Sequence, residues 1–226
     1  MHMASERSSE SFSSSTVIAP AAARRITLGL AIKRAMDVVG SLLLLIVLSP
    51  VFLAIAIAIR LDSPGSVLFK RKVIGKGGRP FMAYKFRSMV ANAHELLEQN
   101  PELLKQYQKN LKIANDLRIT RIGRLLRKTS LDELPQLVNV LRGDMSLVGP
   151  RILGDIELAR YGEYRNKVIS VTPGMAGLWA ASGRHTLPFE RRVELDMEYI
   201  DHWSVWLDIK IIIKTAVVVV RMIGAE

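Results

Sequence analysis

The chain has 226 residues, no cysteine and a formal net charge of +11. Without cysteine, neither a disulfide framework nor a thiolate metal site can form. The basic balance favours anionic partners, namely nucleic acid, acidic lipid or phosphorylated compounds. Hydrophobic residues make up 49% of the chain but aromatic residues only 6%. Because nucleic-acid modules often stack bases on aromatic rings, this composition argues against nucleic acid and favours a membrane surface.

The N-terminal part divides into a polar tail and an apolar run. Residues 1–16 are rich in serine and predict a disordered tail, which we extend to residues 1–28. Residues 38–59 then contain no charged side chain. As one helix this run would measure about 33 Å, close to the hydrocarbon thickness of about 30 Å. A transmembrane helix is therefore the first interpretation.

Ser49 and Pro50 near the middle of the run favour a different interpretation. Proline lacks a backbone donor and kinks or breaks a helix, and a neighbouring serine can bond the freed carbonyl. Both flanks are basic, with Arg24, Arg25, Lys33 and Arg34 before the run and Arg60, Lys70, Arg71 and Lys72 after it. Because basic flanks prefer the cytoplasmic side, we favour a re-entrant helix–break–helix over residues 29–62. A span with a proline kink stays the main alternative. A cleaved signal is the third, although LDSPGS after the run does not resemble a small-residue cleavage site.

Residues 63–226 predict a cytosolic catalytic domain. Residues 67–69 and 81–86 resemble strands, and the turn-rich GKGGRP between them predicts a β-hairpin. Helical patterns occupy residues 91–116, 119–127, 136–141 and 189–199, whereas residues 149–188 are rich in loop signals. Pro101 can start a second helix within the first pattern, and Gly143 ends the third. The expected fold class is α+β and mostly helical.

The apolar C-terminal segment, residues 203–223, leaves three interpretations open. Lys210, Lys214 and Arg221 share one face of a helix, and Trp203 and Trp206 suit a membrane–water interface. We favour an amphipathic helix lying in the interface plane. A buried core helix and a strand around the four valines are the alternatives.

Two adjacent carboxylates mark the centre of the chain. Asp132 and Glu133 lie in RKTSLDELPQL, at residues 127–137. Ser130 and Glu133 have the spacing of a capping box, but that helix would carry Pro135 in its interior, where proline is costly. A helix that begins at Pro135 avoids this problem and leaves both acids at its positive end. Spacing alone leaves structural and catalytic roles open.

Several cations near the acids suggest a phosphate site. They are Lys85 and Arg87 in YKFRSM, Arg127 before the acids, and Arg151 at the end of LVGPR. Arginine forks match phosphate oxygens, and carboxylates can hold the Mg²⁺ that accompanies a pyrophosphate. Taken singly, each arginine is more often a solvated surface charge.

From about Lys33 onward, the chain resembles the bacterial sugar transferase family, the monotopic polyprenyl-phosphate phosphoglycosyl transferases that begin exopolysaccharide or O-antigen assembly. The segments that carry the resemblance are KRAMDVVGSLLLLIVLSP, YKFRSM, RITRIGRLLRKTSLDELPQLVNVLRGDMSLVGPR, TPGMAGLWAASGR and WLDIKIIIKT. The long central segment is the most specific of these.

The resemblance implies a two-step transfer with covalent catalysis. Asp132, in the family's LDELPQ motif, would be the nucleophile that attacks the sugar-linked phosphate of a UDP-sugar and releases UMP. Undecaprenyl phosphate would then take the phosphosugar from Asp132. Glu133 would act as a base or position Mg²⁺, so that Asp132 and Glu133 are the expected metal ligands. The family's re-entrant helix breaks at Ser-Pro, which here is Ser49-Pro50.

Further implications concern binding residues, location and partners. The family's phosphate- or nucleotide-binding residues correspond to Lys85, Arg87, Arg127, Arg151, Arg184 and Asp196. Asp196 could instead be the structural partner of an arginine. The expected location is the cytoplasmic face of the bacterial inner membrane, in contact with membrane lipids, and a homodimer is left open. Glucose or galactose is the expected hexose.

The chain also departs from the family pattern. Ile152 replaces the second proline of Pro-Arg-Pro, which predicts a less rigid loop, and Ala180 and Ala181 stand where Gln-Val is common. The alternative to an enzyme is an inactive or structural membrane-associated partner of polysaccharide assembly. A membrane-tethered nucleic-acid binder, suggested by charge alone, has no recognised motif to support it.

Overall fold

Helices dominate the fold, as the sequence predicts. The computed structural model describes residues 20–110, 113, 116–183 and 187–220. The α-helices are α1 Pro20–Val47, α2 Ser49–Asp62, α3 Ala93–Glu98, α4 Pro101–Asn110, α5 Arg121–Thr129, α6 Leu137–Arg142, α7 Asp155–Ala159, α8 Arg165–Val168, α9 Leu178–Ala181, α10 Phe189–Asp201 and α11 Val205–Val220. The strands are β1 Leu68–Ile74, β2 Pro80–Phe86, β3 Ser146–Val148 and β4 Gly174–Ala176. The 3₁₀ segments are Lys76–Gly78, Leu131–Gln136 and Gly162–Tyr164.

Helices α1 and α2 form a bent pair, with the bend at the predicted position. The pair bends by 60° between Val47 and Ser49. The Ile46 carbonyl would bond the N–H of residue 50 in a continuous helix, but Pro50 has none. The Ser49 hydroxyl donates to that carbonyl instead, at 2.8 Å. Within the described part of the chain, no single helix is long and apolar enough to cross a bilayer, although this bent pair together meets that length and composition.

Helix α1 begins earlier than predicted and docks on the rest of the protein through charged side chains. Residues 20–28, assigned to the tail, form its first turns, and residues 1–19 lie outside the described part. Arg34 donates to the carbonyls of Val140 and Leu141 at 2.7 and 2.8 Å, which caps the C-terminal end of α6. Asp37, which is buried, accepts from the Ser146 hydroxyl and the Leu147 N–H at 2.9 Å.

The predicted β-hairpin is confirmed, but its first strand is longer than expected. Strand β1 pairs antiparallel with β2 over all seven residues, from Leu68 opposite Phe86 to Ile74 opposite Pro80. Charged residues in KRK obscured the second half of β1, yet two-stranded ribbons tolerate such side chains at their exposed edges. Buried Asn139 of α6 holds β2 by accepting from the Tyr84 N–H and donating to the Met82 carbonyl, at 3.0 and 2.8 Å.

The remaining predicted helices form with small shifts. Thr120 caps α5 by accepting from the Gly123 N–H at 2.9 Å, so this helix spans Arg121–Thr129 rather than residues 119–127. Pro101 begins α4 and Gly143 ends α6 in the left-handed conformation, as predicted. The loop-rich region, residues 149–188, contains the short helices α7, α8 and α9 and strand β4, which pairs parallel with β3.

The described part of the C-terminal segment forms helix α11, so the alternative of a strand around the valines is wrong. Ile211 and Asp208 are buried against the domain, whereas Trp206 and Ile213 are 61% and 59% exposed. Lys210 and Lys214 are also exposed, and Arg221 lies outside the described residues. The helix therefore has one face in the core and an apolar face that nothing in the described chain covers.

Candidate active site

The two central acids lie in the tight turn between α5 and α6. Helix α5 ends at Ser130, whose φ of 58° and ψ of 18° are left-handed, a conformation that non-glycine residues rarely adopt. The 3₁₀ segment Leu131–Gln136 follows, with Asp132 and Glu133 in its first turn. Ser130 does not cap this segment through its side chain, so the capping-box interpretation is wrong.

The prediction that a helix begins at Pro135 is also wrong. Pro135 is inside the 3₁₀ segment, and α6 begins only at Leu137. Because Pro135 has no N–H, an α-helical hydrogen-bond ladder cannot run unbroken through this position. The tighter 3₁₀ turn brings both carboxylates to the same side of the domain as the hairpin.

Two leucines of the segment pack against a buried cluster that includes residues of the bent pair. Leu131 and Leu134 pack against a buried cluster that includes Ile55 and Ile59 of α2 and Phe86 of β2. The two leucines flank the adjacent acids, so that the apolar side chains and the carboxylates lie at different positions of the turn. The carboxylates of Asp132 and Glu133 contact Lys85 of β2 instead.

A network of cations surrounds the carboxylates. Lys85 Nζ lies 2.7 Å from Glu133 Oε1 and 3.9 Å from Asp132 Oδ2. Arg151 donates from Nη2 to the same Glu133 oxygen at 3.3 Å. Glu133 is therefore held between Lys85 and Arg151, whereas within the described part of the chain Asp132 forms only the longer ion pair with Lys85. Of the two acids, Asp132 has the less engaged carboxylate.

Burial and neighbouring charges shift the pKa of the Asp132 carboxyl group. The residue is 8% exposed, and desolvation raises its pKa above the ordinary value. Lys85 opposes this rise most strongly, Glu133 adds to it, and Arg127 and Arg151 lower the pKa again. A partly desolvated carboxylate can act as a nucleophile, and nearby cations compensate the negative charge of the phosphate that it attacks.

The remaining residues of the predicted site divide into two groups. Arg127 lies close enough to influence the pKa of Asp132, and its Nε donates to the Ser88 hydroxyl at 3.0 Å. Arg87 instead is buried and donates to the carbonyls of Ser63, at 2.7 Å, and Pro64. That guanidinium caps the end of α2, so its contacts are structural. Arg184 lies outside the described residues.

Comparison with known proteins identifies the family of this chain. The sequence model described as bacterial sugar transferase matches residues 28–222. The chain belongs to the bacterial sugar transferase family. An undecaprenyl-phosphate galactose phosphotransferase of Salmonella typhimurium is 44% identical over 198 residues, which are 86% of this chain and 41% of that protein. The chain thus spans about two fifths of that relative's length.

Two further relatives represent different lengths within the bacterial sugar transferase family. The exopolysaccharide production protein ExoY of Rhizobium meliloti is 39% identical over 187 residues, 81% of this chain and 83% of its own length. A UDP-glucose:undecaprenyl-phosphate glucose-1-phosphate transferase of Escherichia coli is 40% identical over 195 residues, 81% of this chain and 39% of that protein. Residues 28–222, which the family model matches, include both acids and their cations.

Sequence reasoning missed an aromatic and charged cluster beside the acids of this bacterial sugar transferase. Trp179 of α9 lies under two guanidinium groups, with Arg151 at 5.5 Å and Arg192 at 5.3 Å from its ring. Arg192 Nη1 is 3.8 Å from Glu157, which also binds Arg71 at 2.7 Å. Only the arginine and tryptophan content of the family-like segments hinted at this cluster, because its members are distant in sequence.

Asp196 belongs to the same cluster and is not at the surface of the site. It is 1% exposed, and its Oδ2 accepts from the Tyr161 hydroxyl at 2.6 Å. Arg192 Nε lies 4.0 Å from the same oxygen, so the interpretation of Asp196 as the partner of an arginine fits the contacts. Ile152, expected to loosen its loop, is 4% exposed and packs in the core with Val73 and Val140.

Asp132 and Glu133 are the residues of this site that suit a metal ion. Among the described residues, no group of three or more His, Asp or Glu side chains is placed to hold a metal ion. Mg²⁺, however, is commonly held by one or two carboxylates together with substrate phosphates and water. Asp132 and Glu133 therefore fit a magnesium site that the phosphates of a substrate complete.

Proposed function

We propose that the chain transfers a hexose 1-phosphate from a UDP-sugar to undecaprenyl phosphate, with Asp132 as the nucleophile. A carboxylate oxygen of Asp132 attacks the sugar-linked phosphorus, and the bond to the bridging oxygen breaks as UMP leaves with its electron pair. An oxygen of undecaprenyl phosphate then attacks the same phosphorus and displaces Asp132. The products are UMP and undecaprenyl diphosphate hexose, and Asp132 is regenerated.

One observation carries this proposal, namely that Asp132 is the less engaged acid in a buried cationic site. Glu133 is held by Lys85 and Arg151, so it can orient these cations toward phosphate oxygens. Three cations around one nucleophile compensate the charge that accumulates when a carboxylate attacks an anionic phosphate. Mg²⁺ bound at Asp132 and Glu133 would neutralise further phosphate charge. The names of the relatives favour glucose or galactose as the hexose.

The position of the acids supports an acceptor that is a lipid. Leu131 and Leu134 pack against a buried cluster that includes residues of α2, and Leu53 and Ile57 of this helix are 63% and 51% exposed. Helix α1 adds Val47, which is 69% exposed beside the bend. Such a contiguous exposed apolar surface is typical of a membrane contact. A lipid phosphate at that membrane surface would lie next to the site, while a soluble UDP-sugar approaches from the other side.

We further propose that the bent pair enters one leaflet at the cytoplasmic face of the inner membrane and returns. Asp37 of α1 and Ile59 of α2 both contact the catalytic domain. Ten residues separate Asp37 from Val47, and ten separate Ser49 from Ile59. Each arm is thus about 15 Å long, half of a hydrocarbon core of about 30 Å. The exposed apolar face of α11 would lie in the interface of the same leaflet.

Release of UMP tests the catalytic proposal. Purified protein in detergent is incubated with undecaprenyl phosphate, Mg²⁺ and either UDP-glucose or UDP-galactose, and UMP is quantified. Asp132→Asn should lose turnover by at least about 10³-fold while its melting temperature changes little, because a neutral amide is a poor nucleophile. With radiolabelled donor and no acceptor, label should remain on Asp132 after gel filtration in denaturant.

The alternative, an inactive or structural partner of polysaccharide assembly, makes the opposite prediction. Such a protein would release no UMP from any UDP-sugar, with or without Mg²⁺. Product formation without label on Asp132 would instead retain the enzyme but exclude the covalent step. Asp144→Asn provides a matched control, because this carboxylate lies in the loop after α6 and accepts from Asn139 rather than from a cation of the site.

A further inference from the structure

One face of the β-hairpin changes from buried to exposed along its length. Residues directly opposite each other on two antiparallel strands share a face, and this face contains Val73, Ala83, Phe69 and Lys85. Val73 and Ala83 are 1% and 0% exposed, because the core covers them, whereas Phe69 is 54% exposed. The face is therefore covered toward the hairpin turn and open where Phe69 lies opposite Lys85.

Lys85 links Phe69 to the acids. Its Nζ lies 2.7 Å from Glu133 Oε1 and 3.9 Å from Asp132 Oδ2. Side chains directly opposite on one face of an antiparallel pair have Cβ atoms about 4.5–5.5 Å apart. Phe69 is thus the cross-strand neighbour of the cation that pairs with both carboxylates.

The open end of the hairpin is fastened to the C-terminal end of α2. Val67 packs against the buried cluster that contains Ile59 of this helix. The Arg87 N–H donates to the Val67 carbonyl at 2.9 Å, and the Arg87 guanidinium donates to the Ser63 carbonyl at 2.7 Å. Because strand residues rise by about 3.3 Å each, Phe69 lies within about 7 Å of Val67 along β1. The ring is therefore close both to the end of α2 and to the acids.

Exposed apolar side chains continue along α2 from this junction. Leu61, Ile57 and Leu53 are 84%, 51% and 63% exposed. Positions four residues apart lie on the same face of a helix, so these three form one stripe. The stripe runs from the middle of α2, within the proposed lipid-facing surface, to the end of the helix at which the hairpin is attached.

We propose that Phe69 binds the phosphate-proximal isoprene units of the polyprenyl phosphate acceptor. Such an amphiphile requires a cation for its phosphate and an apolar surface for the adjoining hydrocarbon, and Lys85 and Phe69 provide both side by side. The stripe on α2 receives the following part of the chain on its way to the bilayer. Arg151, which lies over Trp179, remains for the phosphates of the UDP-sugar. The inference rests on the proposed function, because it requires a lipid phosphate at the acids.

The two half-reactions separate this role from donor binding. In Phe69→Ala, the labelled Asp132 adduct should form from UDP-sugar, without acceptor, at the rate of the unmodified protein. Transfer of the label to undecaprenyl phosphate should then require about 10-fold more acceptor, because the isoprene units no longer bury apolar area against the ring. The short acceptor farnesyl phosphate should show the same loss, since it retains the phosphate-proximal units. Phe69→Leu should recover most of the transfer.

Met82→Ala is the matched control for Phe69→Ala. Met82 is 43% exposed and lies opposite Lys72, on the other face of the same hairpin. Its removal should leave both half-reactions unchanged. Because Phe69 is also exposed, the melting temperatures of all three variants should stay close to that of the unmodified protein.

Photocrosslinking provides a readout that does not depend on turnover. Phe69→p-benzoylphenylalanine should crosslink radiolabelled undecaprenyl phosphate in detergent without any donor, and unlabelled farnesyl phosphate should compete for this crosslink. The same replacement at Met82 should give no crosslink that farnesyl phosphate reduces. If Phe69→Ala does not fold, the crosslink decides.

Three outcomes would overturn the inference. Slower formation of the Asp132 adduct in Phe69→Ala, with an unchanged acceptor requirement, would assign Phe69 to the donor. A loss with undecaprenyl phosphate but not with farnesyl phosphate would place the contact at a distal part of the chain. Absence of a competed crosslink at residue 69 would remove the contact altogether. A competed crosslink in a protein that releases no UMP would instead retain the acceptor site and remove the proposed function, which distinguishes the two failures.

Discussion

Lys33 Nζ lies 2.7 Å from Asp208 Oδ2, and this ion pair joins the first helix of the described chain to the last. Asp208 is 2% exposed and also accepts from the Tyr199 hydroxyl at 2.8 Å and from Trp203 Nε1 at 3.3 Å. Lys33 donates in addition to the Val148 carbonyl at 2.9 Å. The cation thus ties α1 to α11 and to strand β3, which leads into the Arg151 loop.

Loss of Lys33 should destabilise the protein strongly. Lys33→Met leaves the Asp208 carboxylate buried without its cation, which typically costs about 3–5 kcal/mol. The free energy of unfolding in detergent, measured by chemical denaturation, should fall by that amount. Adding Asp208→Asn to the same chain removes the unpaired charge and should restore part of the loss.

The exposed pair Lys167–Asp201 is the matched control. Its nitrogen and oxygen are 2.6 Å apart, but the two side chains are 40% and 50% exposed. Lys167→Met should therefore change the free energy of unfolding by less than about 1 kcal/mol. If Lys33→Met and Lys167→Met lower the free energy of unfolding equally, burial does not set the strength of the Lys33–Asp208 pair.

This pair also illustrates what local sequence patterns can and cannot predict. The bend at Pro50, the hairpin around GKGGRP and helix α10 follow from proline chemistry, turn residues and periodicity, all of which are local. As basic flanks of the apolar run, Lys33 and Arg34 indicate membrane topology, yet both side chains bind the rest of the protein. Their partners are more than 100 residues away in the chain, and no local pattern encodes such a distance.

In the candidate site, too, some contacts follow from the sequence and others do not. The resemblance brought Lys85, Arg151 and the two acids together, and the structure places them in contact. Arg87 is two residues from Lys85, and on a strand it should share a face with it. The chain leaves β2 at Phe86, however, and the guanidinium turns to the end of α2. Residue type alone does not distinguish an arginine that caps a helix from one that binds phosphate.

Lys85 should control the pH dependence of turnover through Asp132. Burial raises the pKa of Asp132, and Lys85 is the strongest influence that lowers it. Lys85→Met should therefore raise this pKa further, so that more of Asp132 is protonated at neutral pH. The acidic limb of the pH profile of kcat/KM for UMP release should move to higher pH, and part of the lost activity should return under alkaline conditions.

Lys76→Met is the control for Lys85, because Lys76 is an exposed cation in the hairpin turn. Its pH profile should coincide with that of the unmodified protein. If Lys85→Met lowers kcat/KM equally at every pH, Lys85 acts on the substrate phosphate and not on the ionisation of Asp132.

Protonation of Asp196 should stabilise the folded protein under mildly acidic conditions. Burial raises its pKa from 3.8 to about 6, although the Tyr161 hydroxyl and Arg192 oppose the rise. The folded state therefore binds this proton more tightly than the unfolded state does. As the pH falls from above about 6 toward 3.8, the unmodified protein should gain stability relative to Asp196→Asn. Melting temperatures of both proteins across this pH range check the sign, and a constant difference between them would contradict it.

The proposed re-entrant topology predicts which engineered cysteines a labelling reagent can reach. Because the chain contains no natural cysteine, no other residue reacts with the reagent. Thr27→Cys and Ser66→Cys flank the bent pair, and both should react with a membrane-impermeant maleimide only from the cytoplasmic side of inverted vesicles. Val47→Cys lies beside the bend and should be protected from either side, since it is 69% exposed only toward the proposed lipid. Because Arg34 and Asp37 anchor α1 on the same domain that Ile59 contacts, a spanning helix would have to break these contacts. Labelling of Thr27→Cys and Ser66→Cys from opposite sides would therefore exclude both the hairpin and the packing that joins it to the acids.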